Sequence, residues 1–67
     1  MNEWNEIKEY LLHHEDCKDI HKMIWDDFAM LTERNGNRHK IEGCWTLEKV
    51  KLIIKNVFID KELKHFL

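Results

Sequence analysis

Apolar side chains recur along this chain at spacings of three and four, and that rhythm divides it into helical segments. Between Asn2 and His14, Trp4, Ile7, Leu11 and His14 share one stripe, flanked by Tyr10, while Glu6, Glu9 and His13 point away. The pattern predicts an amphipathic helix. Glu15-Asp16 then interrupts it, and Asp16 is an acceptable N-cap for the next segment. From Cys17 to about Glu33, a second stripe holds Cys17, Ile20, Ile24, Phe28 and Leu31, with Met23 and Met30 beside it. Trp25 and Ala29 widen the apolar arc, which predicts a central helix with Lys18, Lys22, Asp19, Asp26 and Glu33 as its polar strip. Asp27 falls among Ile20, Met23 and Leu31, at the edge of the expected core.

Arg34-Asn35-Gly36-Asn37-Arg38 breaks the rhythm, and Gly36 suits a helix C′ position or a turn centre. No clean period runs from His39 to Trp45. Thr46 is a good N-cap, with Glu48 facing the positive end of the helix dipole. Beyond it Leu47, Val50, Ile54, Val57 and Phe58 form one stripe, with Ile53 at its margin. Leu52, Ile59, Leu63 and Phe66 form another, and Asp60 is placed to cap a separate last turn from Lys61 to Leu67. The expectation is an all-α, three-helix single domain over residues 1–67, kinked near its end. An α-ββ-α arrangement is the alternative. There Asn35-Gly36 is a type I′ turn pairing residues near 29–34 with 38–44, but the flanks Leu31-Thr32-Glu33-Arg34 and Asn37-Arg38-His39-Lys40 are polar for a hairpin.

Composition narrows the class. A chain of 67 residues, 43% hydrophobic and 36% charged, fits one compact domain. The absence of proline and the presence of only two glycines exclude proline-rich linkers, collagen-like repeats and glycine-rich phosphate loops. The longest apolar runs, Leu52-Ile53-Ile54 and Val57-Phe58-Ile59, are far too short to span a membrane. The opening Met1-Asn2-Glu3-Trp4 has neither a basic nor an apolar leader region, so the expected compartment is the cytoplasm, with no membrane partner. Abundant Lys, Ile, Asn, Asp and Glu fit an AT-rich coding source, such as a low-GC bacterium or its phages.

Net charge is −2 but unevenly placed: nine acids face three bases in residues 1–33, and eight bases face four acids in residues 34–67. Cys17 and Cys44 are expected as free thiols rather than a disulfide. His13, Cys17 and His21 follow one another at helical spacing, and His39 and Cys44 are close across a loop. Cys17, His21, His39 and Cys44 are therefore the weak candidates for a zinc site, yet no C-x-x-C accompanies them and no metal or cofactor is expected. Serine is absent, and Asp26-Asp27 would diverge on a helix, so the chain is not expected to be an enzyme.

Partner binding has the stronger physical warrant. Three tryptophans (Trp4, Trp25, Trp45) are hard to bury together in a core this small, and exposed tryptophan anchors interfaces. The second C-terminal stripe, Leu52, Ile59, Leu63 and Phe66, is predicted to be covered by a second copy or by a target, and the acidic outer face of Glu6, Glu9, Asp19 and Asp26 to dock on a basic groove. The resulting expectation is a small non-catalytic intracellular protein-binding module, homodimeric in its simplest form, whose partner is a host enzyme or regulator. Small chains of this type include phage and mobile-element inhibitors of host enzymes, anti-defence proteins among them. The alternative is a small nucleic-acid-binding regulator using loop 34–40 and the third helix, through Arg34, Arg38, Lys40, Lys51 and Lys55.

Overall fold

In the computed structural model, which describes residues 3–59, Trp4–His13 forms helix α1. It buries Trp4, Ile7 and Leu11 of the expected stripe, whereas His14, its fourth member, is exposed beyond the helix end. His14 leaves the helix with extended backbone, and its Nδ1 accepts a hydrogen bond from the Asp16 amide at 3.0 Å. That contact starts a 3-10 turn, Glu15–Cys17, so His14 rather than Asp16 is the cap.

The expected central helix is not there. Residues 17–33 instead supply strands β1 (His21–Ile24) and β2 (Phe28–Thr32), joined by a tight turn at Asp26 and Asp27. With β3 (Arg38–Glu42) they make an antiparallel sheet in the order β1-β2-β3. The described residues are 46% helical and 25% strand, an α+β chain, which overturns the all-α three-helix expectation. The apolar spacing that resembles a helix arises because both sheet faces carry apolar residues. Ile24, Ala29, Leu31 and Ile41 face inward, while Met23, Phe28 and Met30 face outward. An apolar outer face erases the polar alternation that identifies a half-buried strand. Asp27, expected at the core's edge, is exposed in the β1–β2 turn.

The β2–β3 hairpin turns at Asn35-Gly36, where the α-ββ-α alternative put it, but the sheet has a third strand that neither arrangement included. Its turn is not type I′. Gly36 has φ +94°, and among the described residues no non-glycine has a positive φ. The Gly36 amide donates to the Glu33 carbonyl at 2.9 Å and the Glu33 amide to the Asn37 carbonyl at 2.8 Å. Those bonds describe a type I turn closed by a left-handed glycine.

Helix α2 (Leu47–Ile53) starts where expected, with Thr46 Oγ1 accepting from the Lys49 amide at 3.2 Å. Glu3 Oε2 also accepts from the Leu47 amide at 2.8 Å, tying the start of the chain to this helix. At Ile54 the helix widens into a π-helical segment, Ile54–Ile59. The helices cover one face of the sheet. Trp4, Ile7, Leu11, Cys17, Val50 and Ile54 pack with Ala29, Leu31 and Ile41 into one buried cluster. Each large apolar side chain enclosed there is worth roughly 1.5–3 kcal/mol relative to exposure. The Trp4 indole donates to the Asp26 carbonyl at 2.7 Å and the Gly43 amide to the Asp27 carbonyl at 2.9 Å, which fixes the β1–β2 turn against α1 and the end of β3.

Candidate functional site

With both helices on one side, the opposite face of the sheet is left open among the described residues. The strand register arranges it in three rows: His21, Thr32 and Arg38; Met23, Met30 and Lys40; Phe28 and Glu42, extended by Trp25 beyond the end of β1. Met23 and Trp25 are 53% and 41% exposed, high for residues that a core would accept. Trp25 stacks on Phe28 with ring centroids 4.6 Å apart and planes 12° from parallel. The Lys40 ammonium lies 4.9 Å from the centre of the Phe28 ring and 3.2 Å from Glu42 Oε1. Thioethers and aromatic rings on a flat sheet are adaptable contact groups. Charge is ordered along the strands as well. Asp26, Asp27 and Glu42 sit at the β1–β2 turn end; at the other end Arg38 is the charged group on the open face, with Arg34, Glu33 and Asp19 close by.

A second concavity lies on the helix side, a cleft of about 310 Å³ lined in part by Asp16, Asp19, Ile20, Glu33 and Phe58. Beside it His39 Nε2 bonds Glu33 Oε2 at 2.6 Å and meets the Phe58 ring edge-on at 5.7 Å. The imidazole is thus engaged on the inner face of β3. Cys17 is fully buried, and burial pushes its thiol above the usual range, against the opposing pull of Lys22. Burial likewise pushes Tyr10 up to about 12, with Cys17 and Asp16 adding to the shift. A thiol held protonated is a poor nucleophile.

The weak metal set is not gathered. Cys17 is in the core, His21 on the open face, His39 on the inner face, and Cys44 exposed after β3. Among the described residues no group of three or more His, Cys, Asp or Glu side chains could hold a metal ion. The basic set is divided too. Arg38 and Lys40 are on the open face and Arg34 at the hairpin tip, whereas Lys51 and Lys55 border a hollow with Tyr10 and His14 on the helix side. Glu6 and Glu9 are exposed on α1, with Glu9 3.3 Å from His13, while Asp19 and Asp26 occupy separate turns before and after β1. Of the second C-terminal stripe, Leu52 is 55% exposed, Ile59 packs partly against the core, and Leu63 and Phe66 lie outside the described residues, as does the expected Asp60 cap. Of the tryptophans, Trp4 is buried, Trp45 packs beside the core under Lys49, and Trp25 is on the open face.

Sequence reasoning missed the open face, because helical spacing puts Met23, Phe28 and Met30 in a helix interior. The Asp26-Asp27 pair between two apolar runs is the available signal for a strand–turn–strand. Comparison with protein-family models, with curated proteins and with solved structures returns no match. Among the described residues, no helix is long and apolar enough to cross a membrane.

Proposed function

We propose that this chain is a small non-catalytic protein-binding module that docks on its partner through the open face of the sheet and acts by covering the partner's surface. One observation carries the reading: Met23, Trp25, Phe28 and Met30 form an apolar patch on the face that no helix covers among the described residues. A module working inside the cell suits two free thiols, one of them buried. The patch also favours protein over nucleic acid. Stacked rings beside Lys40 resemble a platform for bases, but Asp26 and Asp27 directly follow Trp25 and would repel phosphates where stacking has to occur.

Affinity capture from its native cell lysate, with and without nuclease, tests this against the Met23→Asp/Met30→Asp variant. A captured protein is then titrated directly by calorimetry. The reading expects a nuclease-resistant protein partner whose affinity falls at least about tenfold in the variant, as removal of a central apolar anchor does. Equal binding by the variant, or capture that nuclease abolishes, would contradict it.

A further inference from the structure

Resting on the reading of the open face as a docking surface, we infer that this face also pairs with itself, joining two copies of the chain about a two-fold axis that lies between their sheets and runs across the strands. The order of charge along the strands selects that geometry. On the open face the β1–β2 turn end carries Glu42 beside Asp26 and Asp27, and the other end carries Arg38, while Glu33 at that end is turned to His39 on the inner face. An axis across the strands reverses strand direction in the second copy and keeps β3 over β3. Glu42 of each copy then comes over Arg38 of the other, twice by symmetry, and Met30 on the central strand meets its own equivalent. An axis along the strands would instead lay the acidic ends on one another. The like charges brought together are the Lys40 ammoniums, and each already has an ion pair with Glu42 of its own chain at 3.2 Å.

The footprint sets the strength. Three strands ~4.8 Å apart and four or five residues long cover a plane of at most ~14 by ~17 Å. A standard interface buries ~800 Å² per partner. The pair is therefore weak and reversible, formed when the chain is concentrated and given up to a partner that covers the same face more fully.

Sedimentation equilibrium from ~10 μM to ~1 mM tests the pairing, with circular dichroism to confirm folding. The wild type should rise from its monomer mass of 8.3 kDa towards twice that value. Met30→Asp should remain a folded monomer. Arg38→Glu and Glu42→Arg should each raise Kd at least about tenfold, and the double reversal should recover most of that loss. The charge pair decides the matter if Met30→Asp fails to fold. A wild type that stays monomeric at ~1 mM overturns the inference. So does a dimer that persists in folded Met30→Asp, or a double reversal weaker than either single one. These failures are separate from failure of the docking reading. A monomeric wild type leaves partner capture to be decided alone, and a dimer without a captured partner leaves the pairing in place.

Discussion

Tyr10 and Cys17 meet where α1 gives way to the 3-10 turn, and their titration couples this seam to stability. Both groups are raised above their ordinary values, 9.0 for the thiol and 10.0 for the phenol, the latter to about 12, chiefly by burial. A group whose folded pKa is raised contributes stability in full below its unfolded pKa. That contribution is lost as pH climbs through the folded value. The melting temperature should therefore fall between pH 9 and pH 12, and fall less steeply in Tyr10→Phe, which keeps the ring and removes the titrating hydroxyl. Thermal melts across that range check it; identical slopes in the two proteins would show that the phenol is not coupled to folding. Lys22 steadies the same place, its ammonium donating to the Cys17 carbonyl at 2.6 Å. Cys17 was readable from the sequence as a buried small hydrophobe, but its Tyr10 contact depends on the chain turning at His14, which spacing alone does not reveal.

Among the elements, the hairpins hold the sheet in register, and Gly43 is their tightest point. A Cβ there would lie 2.5 Å from the Asp27 carbonyl oxygen, a backbone atom with no freedom to swing aside. Gly43→Ala should destabilise the fold by about 1–3 kcal/mol, the usual range for forcing atoms into a filled site. Urea denaturation measures this, and an unchanged midpoint would mean that the turn relaxes freely. Helix α1 and the start of α2 were legible because an apolar stripe at 3.6-residue period and a Thr46 cap are local signals. The strands were not. In residues 17–33 the inward set (Ile24, Ala29, Leu31) and the outward set (Met23, Phe28, Met30) are both apolar, so the period-2 signal cancels and a helical spacing emerges from their sum. The second C-terminal stripe failed for a different reason. The turn from α-helical to i→i+5 bonding at Ile54 changes the phase, leaving Leu52 exposed while Ile59 returns towards the core.

At the scale of the whole molecule, the acidic first half and basic second half are not two faces but strands and helices interleaved in one sheet-and-helix sandwich. Charge asymmetry in the sequence raises the expectation of a partner without pointing to a surface for one. The topology supplies the surface on which the proposed docking rests: among the described residues, two helices on one face leave the other open and partly apolar. What the sequence did convey was the excess of large side chains over core volume; Trp25, one of the three tryptophans in question, is on that surface. The most direct measurement is a methyl NMR titration of Met23 and Met30, followed from dilute to concentrated protein and again on adding a captured partner. The account predicts that these two methyl signals shift in at least one titration while those of the buried Ile7 and Leu11 stay fixed. Met23 and Met30 unmoved in both titrations, or Leu52 on the helix side moving in their place, would contradict it.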